Sequence, residues 1–387
     1  MTVIAFLAEP FFKKDELFIS SKASVNFITK CFHSERVVCV GRLSNNEPLA
    51  ASASIQDSNF EVVPSYDSIA DFFKRSLREP SYFFTYIKRC NQILERYPDA
   101  QVWARNPTIG AVIFSLCALR KKRVVYNHMC ANGMEAWDNE KYKGITKITA
   151  YLFSKILKLC VHNIAKNFNT LNLCTGAELE AFCIKKNHNT LQLVDSNIKN
   201  IQENIKHTDS PFKFLFIGRI QEDKGLYELL KAFSELDSSK FELKIIGSGV
   251  LMDDLLHKYK DTRTIDFIGP KPNHLLYQYI DDSHCLIVPS KNKYEGFPRV
   301  ILEAWSRSVP VIVSDVGGIH SLVKHMGNGL IYDGRYTELK KMMELICDAI
   351  VYSTVQRGAF EMAAKTTEDF WINKTKIGIN NFWRERK

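Results

Sequence analysis

The stretch FLFIGRIQEDKGLYELLKAF (residues 214–233) joins an unbroken apolar run to a helix-length segment. An unbroken apolar run is typical of a strand buried on both faces, as in parallel sheets that helices cover. The helix-length segment has apolar residues at the i, i+3, i+4, i+7 spacing of one helix face, namely Leu226, Leu229, Leu230 and Phe233. The stretch therefore predicts one strand–helix unit of a doubly wound α/β sheet.

The same alternation extends over the whole chain. In the second half, the further apolar runs are FELKIIG (241–247), TIDFIG (264–269), CLIVPS (285–290), VPVIVSD (309–315) and GLIYD (329–333). In the first half, comparable runs lie at residues 3–8, 36–41, 60–63, 101–104, 123–126, 170–174 and 190–194. Because 387 residues are too many for one ordinary domain of this kind, we predict two doubly wound domains.

The polar segment 201–211 is the predicted linker between a first domain at 1–200 and a second at 212–365. The remaining residues, 366–387, include FWINKTKIGINNFW, which has more aromatic residues than a free tail needs. We expect this segment to dock as a helix, with the first domain as a candidate surface.

Ten cysteines are scattered from Cys31 to Cys347 without a CxxC pair. A chain able to bury two cores does not need a disulfide framework, and a structural zinc site needs closer ligand spacing. No window has the apolar length of a membrane span, and the first residues lack the basic region of a secretory signal. We therefore predict reduced thiols and a cytoplasmic protein.

The net charge of +9 is concentrated in the first half. Residues 1–200 contain 26 Lys and Arg against 18 Asp and Glu, a balance of +8, whereas the remainder has a balance of +1. This asymmetry indicates an anionic partner for the first half. From charge alone, that partner could be membrane lipid, a phosphorylated acceptor or nucleic acid.

The segment KYKGITKITAYLFSKILKLCVHNIAK (141–166) is the candidate for a membrane surface. Basic residues recur at helical spacings beside an apolar side formed by Ile148, Leu152, Ile156, Leu159 and Cys160. Basic amphipathic helices can lie on anionic membranes, which would make the protein peripheral on the inner face of the cell membrane. The alternative is an ordinary surface helix whose apolar side is its core-facing side.

Candidate ligand-binding residues follow the first strand of the second domain. Gly218 and Arg219 close the run FLFIG, and Lys224 lies at the expected start of the next helix. A cation there opposes the positive end of the helix dipole, unless a phosphate binds between the helix amides, the lysine and the arginine. The alternative is a solvated ion pair between Lys224 and Glu228.

A second candidate is EGFPRVILE (295–303), which follows the run CLIVPS. Glu295 falls in the loop at the mouth of the predicted helix, and Glu303 falls a turn deeper, off the core-facing side. Two such carboxylates can accept hydrogen bonds from the hydroxyls of a sugar and a ribose. The alternative is a helix-start acid together with a surface pair between Arg299 and Glu303, which would contribute little stability.

The combined run GRIQEDKG…IIGSG…FIG…IVPSKNKYEGFPRVILEAWSRSVPVIVSDVGG…GLIYD resembles the second domain of the family 4 (group 1) retaining glycosyltransferases. The resemblance implies a GT-B fold, in which two Rossmann-like domains face each other across a cleft. It departs from the family after Gly318, where Ile319, His320 and Ser321 stand in place of a small or Pro residue followed by Glu, so we assign no ligand contact to this segment.

By this resemblance, Gly218, Arg219 and Lys224 bind the donor diphosphate, and Glu295 contacts the transferred sugar with the amides of Gly296 and Phe297. Glu303 would bind the ribose. In the first domain only RVVYNHMCANGMEAW is similar to the family. It implies a catalytic role for His128, in a loop after a strand, whereas a lone histidine is more often structural.

Arg105 follows the run QVWA and has two interpretations. It is a weaker candidate for holding an acceptor anion, and the favoured interpretation is a surface loop arginine. Asp281 and Asp282 precede a strand, which is the wrong end of the sheet for a ligand. We therefore predict no metal and no cofactor.

The resemblance implies sugar transfer with retention, from a nucleotide-sugar donor to a glycan or lipid-linked acceptor. We favour a UDP-sugar because uridine donors are common among similar proteins. The rival enzymes are a sugar-nucleotide epimerase and a phosphorylase. A basic binding protein for nucleic acid or acidic polysaccharide is the rival outside enzymes, and the set of donor-site residues argues against it, so we expect no nucleic acid partner.

Overall fold

The computed structural model describes residues 2–20, 24–32, 35–48, 53–138, 142–208, 210–293 and 296–386. The chain divides into two compact units. Unit 1 is formed by Met1–Asn197 and Trp371–Lys387, and unit 2 by Ile198–Phe370. Glu295 lies outside the described residues.

Unit 1 contains a sheet and seven helices within the described ranges. The strands are β1 (Thr2–Lys14), β2 (Leu17–Ser20), β3 (Arg36–Leu43), β4 (Ala53–Gln56), β5 (Phe60–Val62), β6 (Gln101–Asn106), β7 (Val125–Met129), β8 (Thr170–Cys174) and β9 (Thr190–Gln192). The helices are α1 (Ser24–Cys31), α2 (Ile69–Arg78), α3 (Pro80–Arg96), α4 (Ile109–Arg120), α5 (Ile145–Ala165), α6 (Ala177–Ile184) and, after unit 2, α13 (Glu368–Arg384).

Unit 2 contains six strands and six helices within the described ranges. The strands are β10 (Phe212–Ile217), β11 (Phe241–Ile246), β12 (Ile265–Gly269), β13 (Cys285–Val288), β14 (Val311–Ser314) and β15 (Gly329–Tyr332). The helices are α7 (Leu226–Ser234), α8 (Met252–Tyr259), α9 (Asn273–Asp282), α10 (Arg299–Trp305), α11 (Tyr336–Leu345) and α12 (Ala349–Ala364).

Both sheets are doubly wound. In unit 1 the parallel strands follow the order β5-β3-β1-β6-β7-β8-β9, and β2 and β4 add antiparallel pairing at the far end of β1. In unit 2 the order is β12-β11-β10-β13-β14-β15, all parallel. The strand order reverses between β1 and β6 in unit 1 and between β10 and β13 in unit 2. Ligands of such sheets bind at the carboxyl ends of the strands at this reversal.

The core of unit 2 explains why its sequence alternates as it does. The predicted stripe of α7 is fully buried against strand residues such as Phe214, Leu243 and Ile287. Side chains on both faces of β13 are buried, because helices cover both sides of the sheet. The continuous apolar runs are therefore a direct consequence of two-sided burial.

The last helix, α13, packs on unit 1. The Trp383 indole Nε1 donates a hydrogen bond of 3.0 Å to the Tyr126 hydroxyl. Gly378 approaches Leu191 so closely that a β-carbon at position 378 would lie 2.7 Å from the leucine side chain. Among the described helices, none combines the length and the apolarity that a bilayer crossing requires.

Candidate functional site

A cavity of about 220 Å³ opens at the strand-order reversal of unit 2. It lies at the carboxyl ends of β10 and β13, which is the position that the topology predicts for a ligand. Its lining residues are Phe216, Ile217, Gly218, Arg219, Lys224, Val288, Pro289, Ser290, Pro298, Arg299 and Val300. The structure thus brings Gly218, Arg219 and Lys224 together, as the sequence predicts.

The cavity collects three cationic side chains. Arg219 follows β10, Lys224 ends a 3₁₀ turn (Glu222–Lys224), and Arg299 begins α10. One guanidinium nitrogen of Arg219 is 3.7 Å from the Asp223 carboxylate. The three cationic side chains thus line one cavity, and such a cluster suits an anion with more than one charge.

Asp223 ties the turn that carries Lys224 to the loop after β13. Its backbone oxygen accepts a hydrogen bond of 2.9 Å from the Lys291 amide, and its carboxylate accepts one of 3.4 Å from the Asn292 side chain. Because the same carboxylate faces Arg219, these contacts fix the arginine and the turn relative to each other. The cationic cavity is therefore held by contacts within the protein.

The structure revises two local expectations around Lys224. The lysine lies in the 3₁₀ turn before α7, not in the first turn of the helix, because Gly225 adopts a left-handed conformation between them. The carboxylate of Glu228, the alternative partner of Lys224, contacts the Lys291 ammonium group at 2.5 Å.

The segment before α10 presents buried backbone. Gly296 and Phe297 are both buried, and neither amide has a backbone acceptor among the described residues. The two residues immediately precede Pro298 and Arg299, which line the cavity. Backbone amides near the start of a helix are suited to donate hydrogen bonds to ligand oxygens. Glu295, one residue earlier and predicted to contact the transferred sugar, lies outside the described part of the chain.

Glu303 lies one turn into α10 and is only partly exposed. Burial raises the pKa of its carboxyl, and the charge of Arg299 partly offsets that rise. Within the described ranges, no ion pair joins Glu303 to Arg299 or to another cation. The alternative interpretation, a surface pair between these two residues, is therefore wrong in this structure.

Unit 1 has a cavity of about 210 Å³ at its own strand-order reversal, between β1 and β6. Its lining includes Glu9, Arg105 and Cys130. Arg105 lies on β6 and is largely buried, so the expectation of a surface loop arginine is wrong. Its guanidinium is 3.2 Å from Asp195 and 4.0 Å from Glu9, and two carboxylates thus compensate its charge.

His128 lies on β7 and not in the loop after it. It is 2% exposed, and neither ring nitrogen has a hydrogen-bond partner in the described ranges. Burial and the charge of Arg105 lower its pKa to about 3, so the imidazole is neutral near pH 7. Cys130, which lines the cavity, follows His128 by two positions and lies just past the end of β7, where its thiol donates a hydrogen bond of 3.5 Å to the His128 carbonyl oxygen.

Asp281 and Asp282 end α9 at the opposite edge of the sheet from the cavity. Asp281 accepts a hydrogen bond of 2.7 Å from Arg307 Nε. Asp282 contacts Lys213 at 2.7 Å and Lys244 at 2.6 Å. Both aspartates therefore serve as ion-pair partners at the end of a helix.

Sequence reasoning missed Arg299 and Ser290 as cavity residues. The sequence pattern identified Arg299 only as a possible ion-pair partner of Glu303, because helical spacing relates it to that glutamate and not to Arg219. The available signal was its position directly after Pro298, where a helix begins beside the end of a strand. Such a position faces the ligand side of a doubly wound sheet.

Two doubly wound units, with a cavity lined by cationic side chains at the strand-order reversal of the second, define a two-domain α/β protein. Comparisons with known proteins show what this chain is similar to. Residues 197–349 match the family described as "Glycosyl transferases group 1". That segment, which is less than half of the chain, is similar to this family.

Two relatives of this chain are also named as glycosyltransferases. An uncharacterized glycosyltransferase of Methanocaldococcus jannaschii is 32% identical over 135 residues, 34% of this chain and 34% of the relative. The capsular polysaccharide biosynthesis glycosyltransferase CapM of Staphylococcus aureus is 25% identical over 276 residues, 64% of this chain and 68% of CapM. The chain thus aligns with about a third of the length of the first relative and two thirds of the second.

The solved structure of HepE from Anabaena in complex with UDP superposes with a TM-score of 0.68 at 14% identity. The match covers 99% of this chain and 100% of HepE. At this identity the likeness concerns the fold. The chain has the GT-B fold that the sequence predicts.

Proposed function

We propose that this protein is a glycosyltransferase that moves a sugar from a nucleoside-diphosphate sugar to a hydroxyl of a glycan or lipid-linked acceptor. The observation that carries the proposal is the convergence of Arg219, Lys224 and Arg299 on one cavity at the strand-order reversal of unit 2. A diphosphate is the common anion of nucleotide-sugar donors, and it has the size and charge that three cations can hold.

The donor is held in three parts. The cations contact the diphosphate, and the amides of Gly296 and Phe297 bind oxygens at the sugar end. Glu303 accepts hydrogen bonds from the ribose hydroxyls, and Glu295 holds the transferred sugar. UDP is the favoured nucleotide, in keeping with the UDP bound to the similarly folded HepE.

The reaction follows from where charge develops. The bond between the anomeric carbon and the diphosphate oxygen breaks, and negative charge accumulates on the leaving group. Preorganised cations stabilise that charge without a metal ion. The acceptor oxygen then bonds to the anomeric carbon from the face that the diphosphate leaves, and its proton passes to a diphosphate oxygen. The sugar therefore keeps its anomeric configuration.

The cavity of unit 1 is the proposed acceptor site. Because Glu9 and Asp195 compensate the charge of Arg105, this cavity suits hydroxyl groups better than a phosphate. The two unpaired ring nitrogens of His128 support a role toward the reacting sugars, since buried polar atoms without partners are rare. His128 is neutral and would act by hydrogen bonding.

The biological setting is the synthesis of a cell-surface polysaccharide. The support is the name of CapM, which places that protein in capsular polysaccharide biosynthesis, and its alignment over 276 residues, 64% of this chain.

The test is a thermal-shift screen with UDP, GDP and ADP, followed by a transfer assay with the stabilising nucleotide's sugars. The expected result is stabilisation by one diphosphate and a product with the donor's anomeric configuration in proton NMR. Stabilisation by none of the three would favour a non-catalytic binding protein. Conversion of the donor without any acceptor would favour an epimerase.

A further inference from the structure

Helix α5 of unit 1 exposes an apolar stripe along most of its length. Five exposed large aliphatic residues of this helix recur at spacings of three and four, which places them on one side of the helix. They are between 58% and 79% exposed, and they are Ile145, Ile148, Leu152, Ile156 and Leu159. We call these five residues the outer stripe.

The outer stripe is not the core-facing side of the helix. A different set of residues packs inward, namely Ser154, Leu157, Val161, Ile164 and Ala165. Four of them join Met129 and Cys174 in one apolar cluster of unit 1. A surface helix normally needs one apolar side, and α5 has two. The alternative of an ordinary surface helix therefore does not account for its sequence.

Basic residues accompany the outer stripe. Residues 141–166 contain lysines at positions 141, 143, 147, 155, 158 and 166 and no Asp or Glu. At about 100° per residue, Lys155 and Lys158 lie along one flank of the stripe. Two acidic residues of the preceding 3₁₀ turn contact these lysines, with Asp138 3.5 Å from Lys147 and Glu135 3.3 Å from Lys158.

Aromatic rings occupy the same flank. The rings of Trp137 and Tyr151 meet edge to face at 4.9 Å, and Lys155 lies 4.8 Å from the centre of the Tyr151 ring. Tryptophan and tyrosine beside lysine are typical of segments at a membrane–water boundary, because their rings are apolar and their edges polar.

The neighbouring helix extends the apolar surface. Phe73 of α2 packs against Phe153 of α5, with ring centres 4.0 Å apart. One turn further along α2, Leu77 is 81% exposed. Two adjacent helices of unit 1 thus both carry large aliphatic side chains that no described residue covers.

We propose that the outer stripe of α5 docks on an anionic lipid bilayer. The aliphatic side chains enter the boundary between headgroups and acyl chains, while the flanking lysines contact lipid phosphates. A second copy of this chain fits less well, since two copies paired through α5 would bring lysine-rich flanks together. An anionic membrane complements the apolar stripe and its charge at the same time.

Docking does not depend on the proposed function, but it would have a direct use there. It would hold unit 1, with its candidate acceptor cavity, at the surface where lipid-linked acceptors are found. It also accounts for the positive balance of the first half of the chain.

The test is co-sedimentation of the full chain with phosphatidylcholine vesicles, with and without phosphatidylglycerol. We expect binding that requires phosphatidylglycerol and falls as salt is added. The double substitution Ile148→Ser, Leu152→Ser should reduce binding by roughly tenfold or more, because it removes buried apolar area. The matched control is Val250→Ser, Ile350→Ser, which changes comparably exposed residues of unit 2 and should bind like the wild type.

A second variant, Lys155→Glu, Lys158→Glu, tests the electrostatic part and should also lose binding. It keeps the proposal testable if the serine variant unfolds. UDP-induced stabilisation is measured on every variant and should not change, so the docking result is independent of the donor site. The proposal is overturned if the wild-type protein does not co-sediment with vesicles at low ionic strength, or if both variants bind the vesicles as well as the wild type does. It is also overturned if the outer stripe instead mediates a dimer in size-exclusion chromatography.

Discussion

Gly225 and Pro289 approach each other so closely that a β-carbon at position 225 would lie 1.8 Å from the Pro289 carbonyl oxygen. Gly225 also has a φ of +69°, which favours glycine. This contact lets the turn that carries Lys224 pack directly against the loop after β13. The two walls of the cationic cavity are thus joined at a position where only glycine fits.

The first prediction concerns this contact. Gly225→Ala should lower the free energy of unfolding of unit 2 by more than about 3 kcal/mol, since a steric clash adds to the cost of the left-handed conformation. The control is Gly334→Ala, with a φ of +90° and no atom within 4 Å of the added carbon. It should cost only about 1–2 kcal/mol, from the backbone alone. Equal losses in urea unfolding would show that the Pro289 contact is unimportant.

The second prediction concerns the cations. Arg219→Ala, Lys224→Ala and Arg299→Ala should each weaken UDP binding by about 10- to 150-fold, since a charge-assisted contact contributes about 1.5–3 kcal/mol. Binding of uridine, which lacks phosphate, should change little. Lys240→Ala, which removes an exposed lysine paired with Asp237 at the other edge of the sheet, is the control. Calorimetry that finds wild-type UDP affinity in all three variants would reject the diphosphate site.

The third prediction separates the two glutamates of EGFPRVILE. Glu295→Gln should reduce turnover far more than UDP affinity, because its proposed partner is the transferred sugar. Glu303→Ala should weaken binding of UDP itself, because its proposed partner is the ribose. If the two variants have the same UDP affinity by calorimetry, this division of roles is wrong.

The raised pKa of Glu303 gives a fourth prediction. A carboxylate accepts hydrogen bonds from hydroxyls better than a protonated carboxyl does, so UDP affinity should fall as pH drops through the pKa of Glu303. Because burial raises that pKa, the fall should begin above the ordinary range of a glutamate. Glu303→Gln should abolish this part of the pH profile. An unchanged profile in the variant would remove Glu303 from the ribose site.

The fifth prediction uses the lowered pKa of His128. The unfolded chain takes up a proton near pH 6.5 and the folded chain only near pH 3. Stability should therefore fall by about 1.4 kcal/mol for each pH unit below about 6.5. His128→Gln should flatten this slope, while His188→Gln, at an exposed position of unit 1, should not. A wild-type slope in His128→Gln would show that the imidazole is not buried in solution.

Metal independence remains an expectation from the resemblance and the cationic cavity. It is checked by running the transfer assay in EDTA, where activity should persist. Activity that disappears in chelator and returns with Mg²⁺ or Mn²⁺ would contradict the role given to the three cations.

The strands of unit 2 could be predicted because both of their faces are buried. All six apolar runs of the second half form strands, from β10 to β15.

In unit 1 the antiparallel strands β2 and β4 were missed. They are four residues each, and they pair with the far end of β1 and with each other. Such pairing depends on distant parts of the chain and leaves no local pattern.

The placement of His128 failed for a different reason. The polar residues that follow RVVY look like the end of a strand, yet Asn127 is buried within β7. Side-chain amides satisfy each other across three strands, with bonds of 2.7 Å from Asn106 to Asn127 and from Asn127 to Asn172. When the hydrogen-bond partners are unknown, a series of buried polar residues like this one has the sequence pattern of a loop.

The exposure of the outer stripe could not be predicted either, because periodicity shows that a helix has an apolar side but not what covers that side.

Helix α13 belongs to unit 1, although the whole of unit 2 precedes it in the chain. On the ribosome, unit 2 therefore emerges complete while the sheet of unit 1 still lacks the helix that covers Tyr126 and Leu191. In newly made unit 1, that surface stays uncovered until α13 is synthesised. A premature stop that removes α13 should accordingly yield chains whose second unit is folded and whose first unit is a substrate for chaperones and proteases.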